Sequence, residues 1–491
     1  MRVQGQFISS SNLEKYSEQF QLNYKVKKLD LELQEYSHKW YKVANIENEE
    51  VMENGDDLPM IHKGYFDSHL HATALGAFKD QLNLFDCKSK EDFLKRINDH
   101  KYNDQDYRGF IEGYGWKENQ IELELCELNS FFASLNNDYP LFLTRICGHS
   151  AGMNKAMARK FNWPEDKLFI TDRELVQFHR IIPLEPVDYC CEKILQAQDE
   201  LLSEGITAIS DMSLHQNMIN ALELLVEENK LLIDVIGVFD AGRAPIFEKS
   251  GRPFFKKTKE ISPFLGREAR LSIRHWKKYL DGSFGSETAW LKDEYLSNAT
   301  HGDQLEKDDD KLWSECLIAL DKGFSLSFHT IGDAALDQAL RMGQRILERD
   351  NSALNLESRH RLEHVQLVRQ EQIDLITQQN IWTLFVQPHH RVGDDDFIFE
   401  KIGEQRVNEQ AYRLASLLEQ NIPVSLSSDA PIDSLSISKH LKANMNHPNK
   451  KEILPSLQFW GLGCLDSKKI IDQEAFRLSN NIQIGDLIYI S

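Results

Sequence analysis

Several features that the sequence lacks exclude whole classes of protein. No apolar run approaches the ~18 residues that a membrane-spanning helix needs, and the first residues, MRVQGQ, lead into a polar stretch instead of the apolar core of a secretion signal. The seven cysteines include no CxxC pair, which argues against a disulfide framework and against a thiolate zinc site. We therefore expect a cytoplasmic protein with reduced thiols and no membrane partner.

Positive charge is also scarce. The 57 Lys+Arg and 77 Asp+Glu among 491 residues give a formal net charge of -20, which repels nucleic-acid phosphates and anionic lipid surfaces. We expect no nucleic-acid partner and a small-molecule substrate, and a homodimer is compatible with the sequence. The length predicts one large domain with a smaller unit attached.

From about residue 64 a short β-rich apolar run recurs, ends in polar residues and is followed by a helical stretch. The eight runs cover residues 64–68, 206–210, 232–239, 273–280, 325–328, 361–363, 382–386 and 424–427. Eight such units predict an α/β protein, a (β/α)8 TIM-type barrel, in which the carboxyl ends of the strands share one mouth.

The remaining segments define the expected domain organisation. The barrel is predicted at residues 62–445, with a large insertion after the first strand at about 77–204 that contains apparent strands at 108–115 and 140–146. Residues 1–61 and 446–491 show no βα repeat, although 482–490 reads as a strand pair with a turn at Gly485-Asp486. We expect the two chain ends to form one small β module.

The first candidate site residues follow the first strand. In Asp67-Ser68-His69-Leu70-His71, the two histidines are spaced i, i+2 and lie on the same side of an extended chain, so both imidazoles can reach one metal. With 17 histidines in the chain, such a pair also arises by chance on a surface or in a core. The pair alone leaves both readings open.

Other strand ends favour the metal. His329 follows the fifth run, His364 the sixth and Asp429 the eighth. Imidazoles and a carboxylate at one barrel mouth suit a divalent cation such as zinc. The joint placement predicts a metal centre, whereas any one of these residues alone would more often be a core residue.

The sequence resembles the amidohydrolase superfamily, and within it the N-substituted formamide deformylase-like branch called amidohydrolase family 3. The resemblance covers roughly residues 64–440 and depends on seven segments in the family's order: GYFDSHLHATALG (64–76), GYGW (113–116), RICGHSAGMNKAM (145–157), LDGSFGSETAWL (280–291), FHTIGDAALD (328–337), RHRLEHVQL (359–367) and SSDAPIDSLS (427–436). It implies one or two divalent metals per chain, zinc first among them. The implied ligands are His69, His71, His329, His364 and Asp429, with Lys277 as a carboxylated bridging lysine.

Two positions qualify the resemblance. Lys277 lies four residues before Asp-Gly-Ser, as the branch requires, but Lys278 is a rival, and strand alternation sends only one of them to the mouth. Lys63 and Glu287 stand where the branch usually has proline and arginine. A carboxylate in place of a cation near the mouth would change which substrate groups bind, so substrate preferences do not transfer.

The resemblance implies hydrolysis of a non-peptide C–N bond in an amide, formamide or cyclic amide, with Asp429 moving the proton from water to the leaving nitrogen. His149 is expected to contact the oxyanion or substrate, and Trp116 either walls the pocket or packs the insertion. Asp333 and Glu363 are expected to orient His329 and His364. A deaminase-like mononuclear enzyme and a catalytically silent metal scaffold are the alternatives.

Overall fold

The structure is a computed structural model that describes residues 2–10, 24–37, 40–52, 61–62, 64–78, 80–100, 108–135, 138–146, 148–240, 252–349, 359–395, 397–463 and 487–490. Elements are numbered along the chain. Within the described residues, no helix is both long and apolar enough to cross a membrane.

Eight parallel strands form the central barrel. They are β5 (Tyr65–Leu70), β11 (Ile206–Leu214), β12 (Asp234–Asp240), β14 (Arg267–Tyr279), β15 (Ser325–Thr330), β16 (His360–His364), β17 (Trp382–Val386) and β18 (Val424–Leu426). Consecutive members pair in parallel. Ser68 Oγ donates to the Leu426 carbonyl at 2.8 Å, so the first and last strands meet and nearly close the barrel. The predicted fold is confirmed.

Helices cover the outside of this sheet, as a parallel sheet with apolar strands requires. The helices after the insertion are α6 (Val187–Ser203), α7 (Gln216–Glu227), α8 (Asp309–Asp321), α9 (Asp333–Arg349), α10 (Gln370–Gln379), α11 (His390–Asp394), α12 (Ile398–Ile402), α13 (Glu404–Gln410), α14 (Leu414–Glu419), α15 (Ile437–Met445) and α16 (Ser456–Gly461). An additional strand, β13 (Phe254–Ser262), pairs antiparallel with β14.

Helix α9 shows why these segments fold against the barrel. Its apolar residues recur at helical spacing and are buried, among them Leu336, Leu340 and Ile346. Each such side chain contributes roughly 1.5–3 kcal/mol when removed from water. At Gly343 the helix approaches β17 so closely that a Cβ would lie 2.6 Å from the Trp382 ring, so this position requires glycine.

The insertion forms its own layer between β5 and β11. It begins with α1 (Ala72–Ala77) and contains a five-stranded sheet with the order β10-β9-β8-β7-β6. Its strands are β6 (Leu82–Asn83), β7 (Ile111–Trp116), β8 (Leu141–Arg145), β9 (Ser150–Met153) and β10 (Phe169–Thr171), and its helices are α2 (Lys90–Asp99), α3 (Leu128–Ser134), α4 (Lys155–Lys160) and α5 (Asp172–His179). A separate apolar core stabilises this layer. The two apparent strands of the sequence correspond to β7 and β8.

A third sheet combines the two chain ends in the order β1-β2-β3-β19-β4. Its strands are β1 (Arg2–Ser10), β2 (Tyr24–Ser37), β3 (Trp40–Met52), β4 (Ile61–His62) and β19 (Leu487–Ile490). The last strand pairs antiparallel with β3 and β4. The first half of the predicted 482–490 strand pair, with its turn, lies outside the described residues, and the exact domain boundaries stay a prediction.

Candidate metal centre

The barrel brings the histidines and Asp429 together at the carboxyl ends of its strands. The ring centroid of His364 lies 4.7 Å from that of His69 and 4.4 Å from that of His329. Asp429 Oδ1 lies 3.3 Å from His69 Nε2 and 3.3 Å from His71 Nε2. Five residues from four different strand ends thus form one cluster, although 360 positions separate the first from the last in the chain.

The cluster fits a metal ion. Ligand atoms of His69, His364 and Asp429 all lie within 4.8 Å of one another. Among the described residues, His69 Nε2, His329 Nδ1 and Asp429 Oδ1 are buried without a hydrogen-bond partner. Burying such atoms unpaired costs roughly 1–3 kcal/mol each, and a divalent cation bound by the group of His69, His364 and Asp429 would satisfy His69 Nε2 and Asp429 Oδ1.

The charge states also suit a cation. Burial lowers the pKa of His329 and of His364 well below the usual histidine range, so both rings are neutral ligands at pH 7. Burial by itself raises the pKa of Asp429, but the neighbouring His69, His71 and His364 outweigh it and hold that pKa well below its usual range. The cluster therefore offers neutral imidazoles and a carboxylate, the forms that bind metal.

Glu363 orients His69. Its Oε2 accepts from His69 Nδ1 at 2.7 Å, and its Oε1 accepts from Arg361 Nε at 2.6 Å and from Ser327 Oγ at 2.7 Å. Because the carboxylate fixes Nδ1 as the donor, it leaves Nε2 of His69 for the metal. The expectation that Glu363 orients His364 is wrong, since Glu363 contacts His69, whereas His364 Nδ1 pairs with Gln387 Oε1 at 2.9 Å.

The backbone at two of these residues is in the left-handed region. His364 has φ 72° and Asp429 has φ 61°, which costs about 1–3 kcal/mol each for residues that are not glycine. Hydrogen bonds hold both: His364 Nδ1 pairs with Gln387 Oε1 at 2.9 Å, and the Asp429 amide donates to the His69 carbonyl at 2.7 Å. The backbone strain thus occurs at two residues whose side chains belong to the cluster.

The structure distinguishes the two candidate lysines. Lys277 is buried, and its Nζ lies 4.6 Å from the centroid of the Tyr279 ring. Lys278 is only partly buried and donates to Glu315 on α8. The charge of Lys277 helps, after burial, to lower the pKa of His329, which places this lysine on the side of the cluster.

His149, on the insertion, reaches the same mouth. Its ring centroid lies 4.9 Å from that of His329, and its Nδ1 pairs with Asp172 Oδ1 at 2.8 Å. Asp172, the first residue of α5, is almost fully buried. Its backbone amide makes a second hydrogen bond between the two residues by donating to the His149 carbonyl at 2.8 Å. The insertion therefore supplies a histidine of fixed orientation beside the metal cluster.

Two expected neighbours lie elsewhere. Trp116 is fully buried in the insertion core, where its Nε1 donates to the Leu143 carbonyl at 2.9 Å, so it packs the insertion and does not wall the pocket. Asp333 caps a loop by accepting from the Lys292 amide at 2.9 Å and pairs with Arg369 at 2.9 Å. The expectation that Asp333 orients His329 is therefore wrong.

Asp281 is the carboxylate that lies beside His329, with Oδ1 3.7 Å from Nε2. Burial raises its pKa to about 8, even though the amides of Trp290, Ile331 and Gly332 donate to it. The sequence contains a signal for this residue, since it belongs to the Asp-Gly-Ser motif that marks the fourth strand end.

A cavity of about 550 Å³ opens over the cluster between the barrel and the insertion, large enough for a small-molecule substrate. Three of its lining residues, His389, His390 and Asp433, are not among the site residues expected from the sequence. His390 Nε2 lies 3.6 Å from Asp429 Oδ2. The signal that could have found both histidines is their position directly after the seventh strand.

Glu287 does not leave an uncompensated negative charge at this cavity. Its Oε1 lies 3.1 Å from Lys401 Nζ, which also donates to the Gly285 carbonyl at 2.9 Å. Lys401 lines the cavity, whereas Glu287 binds Ser297 and Asn298 behind it. A lysine from α12 thus neutralises the carboxylate that replaces the family's arginine.

Comparisons with known proteins agree with this architecture. The model of the Amidohydrolase family matches residues 64–451. The YtcJ protein of Bacillus subtilis (strain 168) is 25% identical over 478 residues, which cover 89% of this chain and 84% of YtcJ. Solved structures of uncharacterized metal-dependent hydrolases from Pyrococcus furiosus and Pyrococcus horikoshii OT3 share the fold with TM-scores of 0.66 and 0.68. They are 23% and 24% identical to this chain, and the likeness covers 95% of it and 93% and 92% of theirs.

Proposed function

The chain belongs to the amidohydrolase family, and from this membership we propose that it is a metal-dependent hydrolase that cleaves a non-peptide C–N bond of a small molecule. The observation that carries the proposal is the buried cluster of His69, His364 and Asp429, whose ligand atoms lie within 4.8 Å of one another. Amide, formamide and cyclic amide bonds are the substrate classes that we propose.

We propose that His69, His71, His329, His364 and Asp429 hold a divalent metal, with zinc as the first choice because imidazole and carboxylate ligands suit it. Carboxylated Lys277 would join a second ion to the first. When bound, such a metal lowers the pKa of a water ligand and polarises a carbonyl group. A cytoplasmic location and a homodimer stay predictions.

Asp429 is suited to move the proton. Its carboxylate is held in the ionised form, and Oδ1 lacks a hydrogen-bond partner among the described residues, so it can accept a proton from the attacking water. An amide nitrogen leaves only when it is protonated, so the proton must then reach that nitrogen. The oxyanion that forms on the substrate lies within reach of the insertion, where we propose that His149 stabilises it.

Metal content and turnover together test this function. Purified protein should contain at least one equivalent of zinc, lose hydrolysis of N-acyl, N-formyl or cyclic amide compounds on chelation and regain it on addition of metal. The double variant His69→Ala with His71→Ala should lose at least one equivalent, whereas His301→Ala, an exposed histidine outside the cavity, should keep it.

Each alternative has its own outcome in this experiment. Unchanged metal content in the double variant would refute the site. Hydrolysis that survives full chelation would refute the metal dependence. Ammonia release from aminated rings with a single metal equivalent would identify the deaminase-like activity, and bound metal without turnover on any of these compounds would indicate a scaffold.

A further inference from the structure

A second histidine–carboxylate pair lies in the wall of the substrate cavity, outside the metal cluster. His389 Nδ1 lies 2.6 Å from Asp433 Oδ1, and both residues line the same 550 Å³ cavity as Asp429. Their side chains are 21% and 16% exposed, compared with 0% for His69 and 9% for Asp429. The pair is therefore accessible to a substrate without being needed to hold a metal.

The pair has a defined chemical orientation. Asp433 Oδ1 is fixed by the Ser434 amide at 2.7 Å. Burial alone would raise the pKa of Asp433, but its hydrogen bond with His389 and the nearby rings of His390 and His440 lower it overall. An ionised Asp433 makes Nδ1 the donor to the carboxylate and stabilises the ring when it is positively charged, which leaves Nε2 as the nitrogen available to a ligand.

The proposed hydrolysis removes a proton from the attacking water and adds a proton to the leaving nitrogen. Asp429 accepts a proton from the attacking water, and its position is fixed by the hydrogen bond from its backbone amide to the His69 carbonyl at 2.7 Å. The incoming oxygen and the leaving nitrogen are bonded to the same substrate carbon but point in different directions. A single carboxylate that is fixed in place would have to reach both atoms. A second proton carrier in the cavity wall removes that requirement.

We propose that His389, oriented by Asp433, donates the proton that the leaving nitrogen takes when the C–N bond breaks. The inference rests on the proposed function. The electron pair of the broken bond goes to nitrogen, which accepts the proton of His389 Nε2 and departs as a neutral amine. The water oxygen completes the carboxyl product, and the proton that Asp429 took from the water then restores the charged ring, so that one water is consumed per amide.

The dependence of turnover on the leaving group tests this role. Two substrates with the same acyl group are compared, one that releases an alkylamine and one that releases a nitroaniline, which needs little protonation to depart. For His389→Asn, we expect kcat on the alkyl amide to fall by roughly 10²-fold or more, as for loss of a general acid. On the nitroanilide the loss should stay below about tenfold, with metal content unchanged.

Two further variants separate proton transfer from packing. Asp433→Asn keeps the shape but removes the charge that stabilises the ring, so it should show the same preference for the nitroanilide with a smaller loss. Val392→Ala shortens a side chain that lines the same cavity and carries no transferable proton, so it should affect both substrates equally. Thermal unfolding curves verify that all three variants are folded.

The outcomes are distinguishable. A loss confined to the alkyl amide in His389→Asn and Asp433→Asn supports the inference. Equal losses on both substrates, or none, would overturn it while the proposed function stands. If the wild-type protein hydrolyses neither substrate nor any other amide, the proposed function falls and this inference falls with it.

Discussion

The variant Glu363→Gln tests whether the buried Glu363 carboxylate stabilises the barrel and also supports metal binding. Glu363 is fully buried and pairs with Arg361, which is 1% exposed. The amide keeps the shape but cannot neutralise that guanidinium, and removing one partner of a buried ion pair costs about 3–5 kcal/mol of stability. Since Gln retains one acceptor oxygen, we expect a loss near the lower value.

The same change should weaken metal binding. His69 Nδ1 donates to Glu363 Oε2 at 2.7 Å, and an amide NH2 at that place would instead favour a proton on Nε2, the nitrogen that faces the cluster. Loss of such an orienting partner typically lowers metal affinity by about 10–100-fold. Chemical denaturation of the metal-free protein measures the stability, and titration with zinc against a competing chelator measures the affinity.

Asp234→Asn is the matched control. Asp234 is also buried and accepts from Arg267 Nη1 at 3.0 Å, but it lies at the amino end of β12, away from the mouth. We expect a comparable loss of stability with unchanged zinc affinity. If Glu363→Gln binds zinc as tightly as the wild type, or if both variants lose affinity alike, the orienting role of Glu363 is refuted.

Three further predictions test separate features. Asp429→Asn should retain most of the metal but lose about 10²–10⁴-fold in kcat at matched metal occupancy; near-wild-type turnover would exclude its proton transfer. Lys277→Ala should lose one metal equivalent while Lys278→Ala should not, and gently handled wild-type protein should carry the mass of one added CO2; equal metal content in both variants would exclude the bridge. Burial lowers the pKa of His360 to about 3 from 6.5, so the unfolded chain takes up a proton first as the pH falls below 6.5 and stability is lost from there downward. At pH 5 the lost free energy of unfolding amounts to about 2 kcal/mol. The free energy of unfolding of His360→Gln should therefore depend less steeply on pH between 6.5 and 4.5 than that of the wild type. Parallel plots of this free energy against pH for the two proteins would contradict the low pKa of His360.

The barrel and the residues at its strand ends could be predicted from local sequence patterns. Alternating apolar runs and helical stretches are local patterns, and each reports on its own segment independently of the rest of the chain. Because parallel strands in a closed barrel place their carboxyl ends at one mouth, the positions of His69, His329, His364 and Asp429 after such runs were enough to predict that they meet.

The side-chain contacts of these residues become visible only in the folded chain. Glu363 lies in the sixth strand of the barrel, yet its carboxylate contacts His69 of the first strand at 2.7 Å. Asp333 follows the fifth strand in the sequence and was expected to orient His329. It instead begins helix α9 and pairs with Arg369. Such contacts depend on side-chain direction and on residues hundreds of positions apart, which no local pattern encodes.

The contacts of Lys277 and Lys278, and the compensation of Glu287, also depend on the tertiary structure. The family spacing favours Lys277, but only the folded chain shows that Lys277 is buried and that Lys278 pairs with Glu315. Glu287 reads as an added negative charge in the sequence, but Lys401, more than a hundred residues later, lies 3.1 Å away and neutralises it. Charge balance at a site is a property of three-dimensional neighbours, because electrostatic energy depends on distance through space and not along the chain.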